Sequence, residues 1–408
     1  MTTTYVPARG STRTRSIGLP GLLVSMGLLS LLPTSSCETR RAREHQTSQR
    51  ANSSASAQPE PLPSARAPLP GERVEIPSGT LQVGSVPGTP GRHPNLEPNI
   101  HKVELGSFEI DRLPYPNDPK RPPLLGLSRD EAKSRCAESG ARLCTELEWE
   151  RACKGPEGKP YPTGTVFENR CLTQPSLCAS GFDVLALGVQ SREWTASESG
   201  SSVEPMGILR GGTAHTAAED HRCAARTVLR PSAHNEEVGF RCCKGAPNAA
   251  TILEPTLGKA YEKILLSAQR LEVLVEKDLN TKSLASNIQL FREPEAADSV
   301  VEKGSGDRKG LTFSVSAVVW NPSVGVRFLV VPGRSGKDTS FVLAYYILGK
   351  DDFALAASFI MKNEPGPVAL AFDDSIRPRM FFSTCWGCPG ETGKILFREP
   401  ESVAIVQP

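Results

Sequence analysis

The stretch RLCTELEWERACKG, residues 142–155, decides the fold of the first half of this chain. Thr145 followed three residues later by Glu148 is a helix start signal, because each side chain can accept a hydrogen bond from a backbone N–H group at the other residue. Trp149 and Cys153 then fall on one face of the predicted helix. We expect this face to pack inward, although Trp149 alone would indicate only a core aromatic residue.

The sequence before this helix predicts short elements joined by turns. VEIPSGTLQVGS (residues 74–85) and HKVELGSFEIDRLPYPN (101–117) have the composition of short strands. SRDEAKSRCAESG (128–140) repeats the helix signal, with Ser128 and Glu131 placed for a second capping box. We therefore expect a mixed domain with many loops.

Seven motifs in this part of the chain together resemble the formylglycine-generating enzyme, or sulfatase-modifying factor, family. Each is weak alone, but seven in the family's order are specific. The resemblance implies a C-type-lectin-like fold of the α+β class for residues 72–245. The motifs are IPSGTLQVGS (76–85), RLCTELEWERACKG (142–155), YPTG (161–164), REWT (192–195), LRGGT (209–213), RCAAR (222–226) and GFRCC (239–243).

The cysteine count indicates disulfides. Of eleven cysteines, Cys37 is a candidate lipid attachment site, and the even number that remains predicts five bridges in an exported protein. The count leaves the pairing open. The family resemblance implies the pairs Cys136–Cys242 and Cys153–Cys223. Of the cysteines that remain, we expect Cys144 to pair with Cys243, Cys171 with Cys178 in a small loop, and Cys385 with Cys388 in the CWGC motif.

The resemblance breaks down at the catalytic thiols. Catalytic members of the family carry two cysteines after the GG pair, which bind copper and engage the substrate cysteine, since soft thiolates select Cu(I). Here the nine residues between Gly212 and Arg222, TAHTAAEDH, include no cysteine. The nearest one, Cys223, matches a structural cysteine of the family. We therefore expect no copper site.

The calcium stretch of the family is also altered. The positions of its asparagine and its Asp-Met pair correspond to Gln190 and to Ala186 with Leu187. Calcium requires several hard oxygen ligands, so we expect this site to be lost and predict that the chain uses no cofactor.

The segment in place of the thiols still has polar side chains. His215, Glu219, Asp220 and His221, with His234 nearby in sequence, resemble a metal set in composition. They lack the tight ligand spacing of a zinc motif. We expect exposed loop residues that face a ligand, and no metal.

The N-terminus has the pattern of an export signal. Three arginines precede an apolar segment (residues 17–32), and small residues precede Cys37. A bacterial lipoprotein signal over residues 1–37 is expected, although Thr34 stands where the motif usually has an aliphatic residue. Simple cleavage and an unprocessed anchor are the alternatives. Residues 38–71 are charged and then Ser-, Ala- and Pro-rich, which predicts a disordered tether.

The chain beyond residue 245 divides into two parts. Residues 246–310 are expected to form a helix and a linker, and residues 311–408 an antiparallel β-rich domain, either a sandwich or a barrel-like sheet. The helix is predicted from spaced apolar residues: Leu257, Ala260, Ile264, Leu265, Leu271, Leu274 and Val275.

These features predict a binding or scaffold protein of the cell envelope. A net charge of +2 argues against a nucleic-acid partner. The expected partners are a protein or glycan ligand and, through the N-terminal anchor, the lipid bilayer of the inner or outer membrane. The alternatives are a copper-dependent oxidase acting on a sulfatase cysteine, and a thiol–disulfide protein using Cys385 and Cys388.

Overall fold

The structure is a computed structural model. It describes residues 66–199, 204–291, 312–364, 366–373, 375–383 and 392–407. The predictions for the signal segment, for lipid attachment at Cys37 and for the Cys385–Cys388 pair lie outside these residues. None of the described helices is both long and apolar enough to cross a membrane.

The first domain is an α+β fold with short strands, as the sequence predicts. It has three sheets, with strand orders β1-β4-β10-β5, β2-β3 and β8-β7-β6-β9. Among the strands described for this domain, only β6 and β9 pair in parallel. The strands are β1 (Arg73–Ile76), β2 (Gly79–Val83), β3 (His101–Leu105), β4 (Phe108–Asp111), β5 (Arg142–Leu143), β6 (Arg192–Ser199), β7 (Met206–Arg210), β8 (Arg226–Leu229), β9 (Val238–Phe240) and β10 (Cys242–Lys244).

Three helices connect these strands: α1 (Arg129–Glu138), α2 (Glu146–Lys154) and the single turn α3 (Arg170–Thr173). Both predicted capping boxes are present, at Ser128 before α1 and at Thr145 before α2. Every residue of α2 is buried, so this helix is the centre of the domain.

Four disulfides hold the domain together, and they are the four pairs predicted for it. The bridges are Cys136–Cys242, Cys144–Cys243, Cys153–Cys223 and Cys171–Cys178. Three of them close loops of 70 to 106 residues. In the chain-entropy model each such loop stabilises the fold by roughly 4 kcal/mol.

Two consecutive cysteines of β10 join separate cores. Cys242 packs in one apolar cluster with Cys136, whereas Cys243 packs in another with Cys144. Successive strand residues point to opposite faces of a sheet, which allows neighbours in sequence to serve partners on two sides.

The second domain is an antiparallel β-sandwich, one of the two arrangements predicted. One sheet has the order β11-β14-β15-β16-β17 with β12 paired to β15, and the other has the order β13-β18-β19-β20-β21. Its elements are β11 (Tyr261–Ile264), α4 (Ala268–Glu276), β12 (Ile288–Gln289), β13 (Thr312–Ser314), β14 (Ala317–Ser323), β15 (Val326–Ser335), β16 (Thr339–Ile347), β17 (Phe353–Lys362), β18 (Ala369–Phe372), β19 (Arg379–Ser383), β20 (Thr392–Arg398) and β21 (Ser402–Val406).

The larger sheet is buried on both faces. Along β15, Phe328 and Val330 point into the core between the two sheets, whereas Leu329 and Val331 point outward against α4. This explains why the strand sequences are continuously apolar and do not alternate with polar residues.

The prediction of one helix through residues 257–275 is wrong in its first part. Residues 261–264 form β11, an edge strand paired with β14, and the helix begins only at Ala268. Tyr261 decides this locally, because its ring stacks on Phe372 at 4.5 Å and its hydroxyl donates to backbone carbonyls near β19. Long-range sheet contacts therefore override the helical spacing.

Replacing Leu271 by alanine tests the role of α4. Leu271 is fully buried against the outer face of the larger sheet, whereas Leu265 is 96% exposed. Leu271→Ala is expected to lower the free energy of unfolding by about 3 kcal/mol, through lost transfer energy and a cavity. Leu265→Ala, the matched control, is expected to change it by less than about 0.5 kcal/mol. Equal urea denaturation midpoints for the two variants would contradict the packing of α4.

Candidate functional site

The segment that follows β7 begins with two glycines that allow close backbone packing. Gly211 has a φ of +85°, and a Cβ atom there would lie 2.2 Å from the Cα atom of Gly188. The Gly212 N–H group donates to the Gly188 carbonyl oxygen over 2.9 Å. The GG pair of this motif therefore joins two chain segments that no larger residue could bring together.

His221 closes the segment from inside the domain. Its Nδ1 atom lies 2.9 Å from the Gly188 carbonyl oxygen, and its ring stacks on Phe167 with centroids 4.2 Å apart. Burial lowers the pKa of His221 below its ordinary value. The ring is therefore neutral at neutral pH, with its proton on Nδ1, where it donates to Gly188.

The four candidate ligand-facing residues do not form one cluster. His215 is exposed, and Glu219 and Asp220 are half-buried. His221 is only 1% exposed, so the expectation of an exposed side chain is wrong there. The reason is the contact with Gly188, which sequence spacing does not reveal. Among the described residues, no group of three or more His, Cys, Asp or Glu side chains could hold a metal ion.

His234 lies apart from this segment. Its Nε2 atom is 2.9 Å from a carboxylate oxygen of Glu131, the capping residue of α1. Both side chains are exposed. Proximity in sequence therefore gave no contact with the candidate residues.

Two of the three residues at the positions of the family's calcium stretch, Ala186 and Leu187, are buried. Leu187 is fully buried and packs with the apolar cluster around Trp149. Ala186 takes a left-handed backbone conformation with a φ of +53°. The Gln190 side chain is exposed and makes one long hydrogen bond, of 3.4 Å, to the Leu172 carbonyl oxygen.

A loop between β2 and β3, residues 85–99, covers the end of the segment. Arg222 makes a two-pronged ion pair with Glu97, at 2.7 and 2.9 Å, and also donates to the Gly91 carbonyl oxygen. A Cβ atom on Gly91 would lie 2.3 Å from the Cβ atom of Glu219. The end of the segment, at Glu219 and Arg222, is therefore packed against this loop.

The same loop contacts the β-sandwich. Ser85 donates to Glu97 and accepts from Arg92, whose guanidinium forms a buried ion pair with Glu401 in the turn before β21. The second Glu401 oxygen accepts the Gly88 N–H group at 2.9 Å. We call this chain of contacts the interdomain latch. Sequence analysis missed it, because its partners lie more than 300 positions apart.

The charged residues of the recognised motifs form buried ion pairs. Arg210 of the LRGG motif bonds Glu146 at 2.7 Å, and Arg226 bonds the same carboxylate at 2.8 and 3.0 Å. Arg241 and Trp149 both donate to Glu193. These residues hold the fold, so their presence does not by itself imply catalysis.

The family model of the Sulfatase-modifying factor enzyme 1-like domain matches residues 114–246. This part of the chain is similar to the sulfatase-modifying factor family. The match includes the helices α1 and α2, the GG pair and the three long-range disulfides described above.

Curated relatives match about a third of the chain. The inactive C-alpha-formylglycine-generating enzyme 2 of Bos taurus is 31% identical, over 30% of this chain and 50% of the relative. The serine/threonine-protein kinase Pkn1 of Chlamydia trachomatis is 29% identical, over 30% of this chain and 24% of the kinase. The chain thus spans half or less of the length of these relatives.

A solved structure is also similar to part of the chain. PvdO from Pseudomonas aeruginosa aligns with a TM-score of 0.37 and 17% identity, over 42% of this chain and 93% of that protein.

The interdomain latch can be tested at Glu401. Changing Glu401 to glutamine leaves the guanidinium of Arg92, which is 1% exposed, without a matching charge. We expect the free energy of unfolding to fall by about 3 kcal/mol, measured by chemical denaturation. Glu399, two residues earlier, is exposed, so Glu399→Gln is the control and should change stability by less than about 0.5 kcal/mol. Indistinguishable unfolding curves would show that the latch contributes no stability.

Proposed function

We propose that this chain is a binding or scaffold protein of the cell envelope whose sulfatase-modifying factor domain does not oxidise cysteine. The observation that carries the proposal is the segment after the GG pair. It has no thiol between Gly212 and Arg222, and the nearest cysteine, Cys223, is bridged to Cys153. Every cysteine that the structure describes is likewise paired.

The packing around this segment supports the same proposal. In the catalytic members of the family that this chain resembles, the two thiols must reach both copper and a substrate cysteine. Here His221 is stacked on Phe167, and Arg222 is held by Glu97 beneath the loop of residues 85–99. The end of the segment is therefore buried, while His215 is exposed and available for recognition. The segment has no soft ligand for Cu(I).

Export and lipid anchoring are proposed from the N-terminal sequence together with the disulfides. The basic, apolar and small-residue order ends at Cys37. Bridges that close loops of up to 106 residues suit an oxidising compartment and are rare in the cytosol. The proposed ligand is a protein or glycan of the envelope, with the bilayer contacted through the lipid on Cys37.

An aldehyde assay tests the loss of oxidase activity. Purified full chain with copper, oxygen and a Cys-x-Pro-x-Arg peptide is expected to leave the peptide mass unchanged, because no thiol is available beside Gly212. Boiled protein gives the background, and a catalytic formylglycine-generating enzyme gives the positive signal. The proposal would be refuted if more peptide lost mass at its cysteine with native protein than with boiled protein.

The anchor is tested by changing Cys37. In cells given labelled palmitate, the wild-type chain is expected to take up label and to enter the detergent phase of a Triton X-114 separation. Cys37→Ser should lose the label and move to the aqueous phase. Ser36→Ala keeps a small residue before the cleavage point and should behave like wild type. Unlabelled wild-type protein would argue for simple cleavage or an unprocessed anchor, and label retained by Cys37→Ser would show that the lipid is attached to another residue.

A further inference from the structure

A groove runs between the sulfatase-modifying factor domain and the β-sandwich. It consists of two adjoining cavities of about 330 and 460 Å³, which fall within the usual size of small-ligand sites. The smaller cavity lies beside the connector at Leu253 and Glu254, and the larger one lies beside the first turn of α4. Asn99 and Arg327 line both cavities, so they mark the junction of the groove.

The junction presents hydrogen-bond donors. The Oδ1 atom of Asn99 accepts from Arg92 over 2.6 Å, and the Asn99 Nδ2 group has no hydrogen-bond partner within the described part of the chain. Arg327 is exposed. Among the residues that the structure describes, its guanidinium has neither a carboxylate nor a carbonyl partner. Two donors, one of them a full positive charge, therefore meet at one point.

The backbone fixes Arg327 in this position. Gly325, two residues earlier, has a φ of +71°, and a Cβ atom there would lie 1.9 Å from the Pro94 carbonyl oxygen. Its N–H group donates to the Thr256 carbonyl oxygen. The turn between β14 and β15 is thus packed against the first domain and the connector. This packing places the backbone of Arg327 beside the groove, which its side chain lines.

Carboxylates near the groove already have cationic partners. Glu97 is paired with Arg222, and Glu254 with Arg226. At the rim, Asp351 is paired with Arg270, while Lys350 is exposed and has no ion pair in the described structure. Arg327 and Lys350 therefore give the groove an uncompensated positive charge.

The floor of the larger cavity is apolar. It lies on the outer face of the larger sheet beside α4, whose Arg270 guanidinium lies over the Phe353 ring at one end. Side chains two apart on a strand share a face, so Arg327 stands on the same face as the buried Leu329. The apolar floor residues used here are Ile264, Val319, Ile347 and Phe353.

We propose that this groove binds an amphiphilic anion, with a carboxylate or phosphate group at Asn99 and Arg327 and a short apolar chain along the floor. The planar guanidinium suits both anionic groups, because its parallel N–H groups match their paired oxygens. The inference deepens the proposed binding function, on which it rests, by naming a site and a ligand class.

Calorimetric titration of the purified full chain, with its disulfides intact, tests the proposal. Octanoate and octyl phosphate are the probes, and whichever binds more tightly identifies the anionic group. Octanol, which lacks the charge, should bind at least tenfold more weakly than the better probe. Shortening octanoate to hexanoate should weaken binding roughly tenfold, as expected for two buried methylene groups.

Variants locate the site. Arg327→Gln should weaken binding of the better probe at least tenfold, as loss of a charged hydrogen-bond partner predicts. Arg334→Gln is the matched control, since Arg334 lies on the same strand but contacts Gln289 and Phe291 outside the groove. It should bind like wild type. Thermal unfolding of both variants checks that each is folded.

Three outcomes would overturn the proposal: no binding of either anion at millimolar concentration, equal binding of octanol, or equal effects of Arg327→Gln and Arg334→Gln. The aldehyde assay is independent of all three. A peptide left unoxidised together with an empty groove would refute the ligand site while leaving the loss of oxidase activity in place.

Discussion

The first domain depends on one buried carboxylate. Glu193, at the start of β6, is fully buried and accepts three hydrogen bonds, two from Arg241 and one from the Trp149 indole. Removing a carboxylate and a guanidinium from water costs several kcal/mol for each ion unless their bonding groups are satisfied. The pair is therefore stable only when α2, β6 and the bend between β9 and β10 are all in place. This one contact couples the helix to two sheets.

The need to satisfy this buried pair also explains why the family's motifs can be present when the catalytic thiols are not. Arg241 lies directly before Cys242, and Trp149 lies on the helix that carries Cys153, so the buried pair and the disulfides define one framework. The segment between Gly212 and Arg222 contributes no member of that pair. Its cysteines can therefore be absent while the fold stays intact, and motif matches alone do not distinguish a working oxidase from a binding domain.

Much of the fold could be predicted from the sequence, because the signals that indicate it lie within short stretches of the chain. The capping boxes at Ser128 and Thr145 depend on residues three positions apart, and the strands of the sandwich follow from apolar runs between turns. Two of the disulfide pairs followed from the family resemblance, and the other two from the cysteines that remained. The failures share one cause, which is contact between residues far apart in sequence. Residues 261–264 form a strand because β14 is beside them, and His221 is buried because Gly188 meets it from 33 positions away.

The loop of residues 85–99 shows what long-range contacts add. On one side Glu97 holds Arg222 at the end of the degenerate segment, and on the other Arg92 holds Glu401 of the sandwich. Arg92 also fixes the amide of Asn99 at the junction of the groove. A binding group that is already held in place loses little conformational freedom when a ligand arrives, which favours affinity. Arg92, whose ion pair with Glu401 joins the two domains, thus also preorganises the groove. The contact between the domains and the candidate ligand site therefore share one residue.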